Sequence, residues 1–218
     1  MAEELGKIEK LEIEQFGLRK LYVVPLFFSG ADAPADYKEK LERYWREVNE
    51  QIANQEAKVG KIKRIYHESL SIGGEEGLKI IAEINALSHL IVKDKVDCGA
   101  VFEATELAEL ADECMDWERC LLMGLFSQKA VKTIAELYQQ CALKRYEYIS
   151  RRIDETLQKG EAAILFIREG HMVQFAKDIE VFSVAPPGLD DIHRWLRDGS
   201  KQIEEQNEPK SQTIMEAP

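Results

Sequence analysis

Cysteine is scarce in this chain, and the four present, Cys98, Cys114, Cys120 and Cys141, include no Cys-x-x-Cys step. A chain of 218 residues that is 45% apolar has enough material for a core without disulfide staples, so these read as reduced, mostly core-filling thiols. Histidine is equally scarce. His67, His89, His171 and His193 show neither His-x-x-x-His nor Glu-x-x-His spacing, so the helical metal-ligand pairs have no sequence support. Gly-x-Gly-x-x-Gly, Gly-Lys-Ser/Thr and Gly-x-Ser-x-Gly are all missing, and with them the dinucleotide cradle, the P-loop and the hydrolase elbow. No apolar run approaches the ~20 residues that a membrane span requires. Met1-Ala2-Glu3-Glu4-Leu5 is acidic where a secretory leader is basic and then apolar. The expectation is a cytoplasmic protein with no membrane partner.

Acid is what the chain has in excess, with 40 carboxylates against 29 basic residues and a net charge of -11. Such a surface repels a phosphate backbone, which argues against duplex nucleic acid and leaves RNA only a local basic patch. The organisation reads as an N-terminal arm over 1–20, one α/β unit over 21–198 and a disordered, Gln- and Glu-rich tail over 199–218.

Within that unit, 21–28 is a nearly continuous apolar run, as in a strand buried on both faces. Pro25 lacks a ladder donor, which places this strand at an edge or at a bulge. A helix follows over 35–58, with Tyr37, Leu41, Tyr44, Trp45, Val48 and Ile52 at helical steps and Gly60 as its stop. A strand over 61–72 and a helix from Glu75 to about Val92 complete a βαβ start. The middle of the chain, 104–159, reads as a long antiparallel helical hairpin, split at Phe126-Ser127 with Ser127 as N-cap. Strands over 162–166 and 172–175 then read as a hairpin through Glu169-Gly170, followed by a strand over 179–184 and a short helix over 189–196. The fold expected is therefore α/β with a mixed sheet.

The stretch from Glu103 to Glu118 holds most of the conspicuous acid. A helical wheel at about 100° per residue puts Glu106, Glu109, Asp112, Glu113 and Asp116 on a solvated face, so no metal site is expected. Glu118 is different, because it falls on the apolar side between Ala111 and Leu122. An inward carboxylate needs a cation, a metal or a proton, and Arg145, Arg151 and Arg152 are its candidate partners. His67-Glu68 ends a strand, and in an open parallel sheet the C-terminal strand ends line the ligand crevice. Arg168-Glu169-Gly170-His171 gathers three ionisable side chains at one turn. Ser71-Ile72-Gly73-Gly74 precedes a helix as a phosphate loop would, but Glu75 and Glu76 fill the first turn where an anion would sit.

Lys144-Arg145-Tyr146-Glu147-Tyr148 with Arg151-Arg152 interleaves bases and aromatics, the composition of single-strand binders, though Glu147, Asp154 and Glu155 interrupt it. The run from Ile153 to Ile167 resembles the helix-to-strand step in the C-terminal domain of the archaeo-eukaryotic peptide release factor and Pelota family. That family's Gly-Gly-Gln motif is absent, since Glu75 follows Gly73-Gly74. No residue role is carried over.

Three functional readings follow, with no cofactor assigned. The first is a regulatory or interaction protein that binds a partner, a second copy or a small ligand, with the Tyr138, Cys141, Tyr148 and Ile149 side of the long helix as the contact. The second is a small acid-base or metal-assisted enzyme using Glu118, His67, Glu68 and His171. The third is an RNA- or ribosome-associated factor using the patch over 144–152.

Overall fold

The apolar run at the start forms β1 (Arg19–Pro25), with Leu21, Tyr22 and Val24 almost wholly buried. The computed structural model describes residues 18–30 and 32–207. Most of the expected arm and the end of the expected tail lie outside the described residues. After β1 the chain makes α1 (Ala35–Val59), β2 (Ile62–His67), α2 (Gly74–Ile84), α3 (Ala86–Asp97) and β3 (Val101–Phe102). It continues through α4 (Ala108–Leu122), α5 (Gln128–Thr156), β4 (Ala162–Ile167), β5 (Ile179–Ser183) and α6 (Pro187–Asn207).

All five strands form one sheet in the order β3-β2-β4-β1-β5, and every neighbouring pair is parallel. Both faces are covered, as a parallel sheet requires. Tyr44, Trp45, Val48 and Ile52 of α1 pack on one face with Ile81, Ile91, Val92 and Ile192. On the other, Tyr146, Ile149 and Ile153 of α5 cover Leu21, Tyr66, Ala163, Leu165 and Ile167. β4 is buried at all six positions because it runs through the middle of this sandwich.

Several expectations are corrected. The sheet is parallel throughout, not mixed. The hairpin across Glu169-Gly170 is absent: 172–175 form no strand, and the chain passes from β4 over 168–178 to β5, on the far side of β1. Val173 is buried in the α5 core instead of pairing in a ladder. The long antiparallel helical hairpin expected over 104–159 is also replaced. A short strand, β3, precedes it, and α4 and α5 are the helices of the crossover from β3 to β4 in the parallel sheet.

Pro25 sits on an interior strand, flanked by β4 and β5. Its missing N–H costs nothing there. Leu26 N donates to Ile167 O on the β4 side, and pairing with β5 has already ended at Val23 and Ser183. The helix expected over 75–92 breaks at Asn85, whose side chain caps α3 through Ser88 N (3.1 Å) and donates to Phe27 O (2.9 Å). The last helix runs to Asn207, past the expected start of the tail at 199.

Candidate functional site

In a parallel sheet all C-terminal strand ends lie along one edge. From β2 the chain leaves toward β3, and from β4 it leaves the opposite way, toward β5. The connections diverge between these neighbours, which opens a crevice at that point of the edge. The residues that immediately follow the two strands are Glu68 and Arg168.

Glu68 is 1% exposed, so its carboxylate needs internal partners. It accepts from Arg168 N (2.6 Å) and Arg168 Nε (2.5 Å), and Arg145 Nη2 of α5 lies 3.0 Å away. Arg145 in turn donates from Nε and Nη2 to the two oxygens of Glu106, each at 2.5 Å. Glu106, 2% exposed, also accepts from Ser69 N at 2.5 Å. Two carboxylates and two guanidiniums thus balance in charge at the mouth of the sheet. Burial works against the Arg145 charge, but the hydrogen bond and charge of Glu106, with the charge of Glu68, outweigh it and hold its pKa above the ordinary range. Arg168 is raised likewise, burial again being outweighed by Glu68.

Backbone docking sets this geometry. Thr105 N and Glu106 N both donate to Leu70 O at 2.9 Å, and His67 N donates to Thr105 Oγ1 at 2.9 Å. The segment ahead of α4 is therefore fastened to the turn after β2, which delivers Glu106 to the Ser69 amide. Ser69 itself has φ 75°, alone among the described non-glycine residues in taking a positive value. A serine there stores about 1–2 kcal/mol of strain, and such strain concentrates at functional sites. Ser69→Gly should raise stability by about 0.5–1 kcal/mol, read from the urea midpoint. An unchanged or lower midpoint would show that the serine side chain holds the turn.

Beside the network is a crevice of about 250 Å³, lined by Ser69, Ser71, Cys114, Met115, Tyr138, Ala142, Tyr146, Arg145 and Arg168, with Asp112 and Glu118 on the α4 side. Arg168 is the cation at its wall. Its side chain is 39% exposed, and Nη1 stands 3.7 Å from Glu118, too far for a hydrogen bond.

The structure redistributes the residues singled out in the sequence. Glu68, Arg145 and Arg168 converge. Glu118 does not point inward: its side chain is 46% exposed, and its nearest cation is Arg168 rather than Arg145, Arg151 or Arg152. The reason is that α4 rests on α5 rather than on the sheet, and Cys114 is its one buried residue. Glu106, expected on a solvated face, is buried because α4 begins only at Ala108, which takes Glu106 off the helix. A wheel started at the right residue was the signal missed. Ser69 left no signal, and Tyr146 stood out only within the basic, aromatic run over 144–152.

His67 lies on the α1 side of the sheet, its ring 5.6 Å from that of Phe166, and its Nδ1 sits 2.5 Å from Glu68 O. Burial pushes its pKa down to about 4. It therefore does not meet Glu118. His171 is half-buried, its Nδ1 makes no hydrogen bond, and burial lowers its pKa, partly opposed by the charge of Glu68. Glu169 turns outward to His193 at 2.7 Å.

On α5, Arg151 lies over the Tyr148 ring at 5.2 Å, and Arg152 lies 3.3 Å from Glu155 and 3.8 Å from Glu103. Of the side of α5 expected to meet a partner, Cys141 and Ile149 face inward, 2% and 0% exposed, while Tyr138 and Tyr148 are half-buried. The Gly73-Gly74 pair is no phosphate cradle. A Cβ on Gly73 would stand 2.3 Å from Phe102 O, so the glycine is there to let the loop press against β3. Among the described residues no cluster of His, Cys, Asp and Glu could hold a metal, and no helix is long and apolar enough to cross a membrane.

Comparison with known protein families, curated proteins and solved structures finds no match. The functional reading therefore rests on the crevice alone.

Proposed function

We propose that this chain is a regulatory protein that binds a small organic anion in the crevice between β2 and β4. The observation that carries the reading is Arg168. It is anchored to the buried Glu68 through its own amide and Nε, which leaves its Nη1 edge toward the crevice with only a loose contact to Glu118. A guanidinium held in that way is pre-organised for a carboxylate or phosphate, because its rotamer is ordered before the ligand arrives. Ser69, Ser71 and Tyr138 supply polar atoms nearby, and Met115 and Ala142 supply apolar surface. At about 250 Å³ the space suits a ligand of a few carbon atoms, smaller than a drug-sized molecule.

The acid-base reading has less support, since His67 is neutral, wholly buried and on the other face of the sheet. The patch over 144–152 offers RNA little, because Arg145 is buried and Arg152 already faces Glu103 and Glu155.

Thermal-shift titration with a panel of short carboxylates and sugar phosphates tests the proposal. One member should raise Tm by roughly 5 °C at a hundredfold excess over its Kd. Arg168→Gln should weaken that ligand about 10- to 100-fold, the worth of a charged hydrogen bond. A panel that leaves the wild-type chain unmoved, or shifts Arg168→Gln equally, would sink the reading.

A further inference from the structure

One pair of side chains beside the crevice takes no part in the guanidinium network. Cys114 of α4 and Cys141 of α5 bring their Sγ atoms within 2.6 Å, and Cys141 Sγ also lies 3.5 Å from Leu110 O. Both thiols are buried, and 27 residues separate them in sequence, so no spacing rule links them. From this juxtaposition we propose that Cys114 and Cys141 are a dithiol that a hydroperoxide oxidises, reversibly, to an intrachain disulfide tethering α4 to α5. The inference does not depend on what the crevice binds.

Three observations support it. The first is proximity: bonded sulfurs sit at about 2.03–2.05 Å, so closure needs an approach of roughly half an ångström. The second is compliance. Cys114 is the one buried residue of α4, so a small shift of that helix disturbs few core contacts. The third is access, because Cys114 is among the residues that line the crevice, whose volume of about 250 Å³ exceeds that of a hydroperoxide. Neither Cys98, which is exposed, nor Cys120, which is half-buried, has a sulfur partner of this kind.

The chemistry balances in two steps. The Cys114 thiolate attacks one peroxide oxygen, the O–O bond breaks, and water or an alcohol leaves with a sulfenic acid on Cys114. The Cys141 sulfur then attacks the Cys114 sulfur, the S–O bond breaks, and a second water leaves. Two thiols lose two electrons and two protons, and the peroxide is reduced. Burial and the hydrogen bond to Cys141 push the Cys114 thiol up to about 12. The thiolate is therefore scarce near neutrality, oxidation is slow, and its rate climbs about tenfold per pH unit. The pair behaves as a sustained-oxidation latch, not a fast peroxide sensor.

The test uses the full chain carrying C98S and C120S, treated with hydrogen peroxide, then denatured and alkylated with a maleimide. The expected product is a monomer two hydrogens lighter, unreactive to maleimide and restored by dithiothreitol, with a peptide cross-link joining residues 114 and 141. Its Tm should exceed that of the reduced form by about 5–10 °C, the effect of closing a loop of this length. In the same background C114S should keep one alkylatable thiol and show no Tm rise. Two maleimide adducts after prolonged peroxide, oxygen adducts on separate sulfurs, or dimers linked between chains would each overturn the proposal. The same cross-linked peptide should appear in the unsubstituted chain, which guards against any folding defect in the serine background.

Discussion

Arg145→Ala should lower the unfolding free energy by about 3–5 kcal/mol and Tm by roughly 10 °C, the largest effect expected of any single substitution in the site. The size follows from what the change leaves behind. The side chains of Glu106 and Glu68 are 0% and 2% exposed, and without the guanidinium the first loses both of its arginine contacts. An unpaired buried carboxylate is far more costly than an absent ion pair, because its desolvation is no longer offset. Two companion variants separate these contributions. Arg145→Met with Glu106→Leu should recover most of the loss, since removing both charges removes the desolvation as well. Arg145→Lys should fall between, keeping the charge but losing the two-pronged grip on Glu106. Urea denaturation of the four proteins at neutral pH measures all of this. A loss under about 1 kcal/mol for Arg145→Ala would mean that water reaches the network and that the pair behaves as a surface bridge.

Acid should weaken the fold well above the carboxylate range. His67 is wholly buried, and its pKa falls from 6.5 to about 4 because burial penalises the imidazolium. In the unfolded chain the same ring takes up a proton near 6.5, so below that pH the unfolded state binds more protons than the folded one. Stability is therefore fully present above about pH 6.5 and is lost as pH drops toward 4, by roughly 3 kcal/mol in all. His171 is shifted the same way, which makes His171→Ala the control. Glu47, Glu161 and Asp178 are held below their ordinary values by cationic or backbone hydrogen bonds that outweigh burial where it opposes them, and their contribution disappears only at lower pH. Urea midpoints between about pH 7 and pH 4.5 isolate the histidine window. His67→Gln should flatten the curve there, and an unchanged slope in that variant would reassign the effect.

The Cys114–Cys141 couple and the Arg168 crevice share a wall, since Cys114 lines the crevice that Arg168 closes. They stay separable by experiment: C114S removes the cross-link and leaves Arg168 in place, while Arg168→Gln spares both thiols.

How much of this was legible in the sequence depends on the range of the interactions involved. The helix ending at Gly60, the buried run around Leu21 and Val24, and the Ser127 cap were all readable, because each is decided by a residue's own backbone preference or by neighbours within one turn. The α/β class was readable for the same reason. The direction of the sheet was not. Glu169-Gly170 has the composition of a hairpin turn, and only the burial of Val173 against α5 and the seat of β5 beside β1 make the chain pass on instead. Glu68 and Arg168 could be suspected as strand-end residues. Their meeting across 100 residues was settled by the pairing of β2 with β4. The fate of Glu106 turned on where α4 begins, which is fixed by the docking of Thr105 and Glu106 on Leu70. The sequence by itself thus determined most of the helices, the strands buried on both faces and their apolar faces, because those follow from local torsions and periodicity. Tertiary structure alone decided the partners of the buried charges and thiols, because a group removed from water takes whichever partner the packing of distant segments brings within reach.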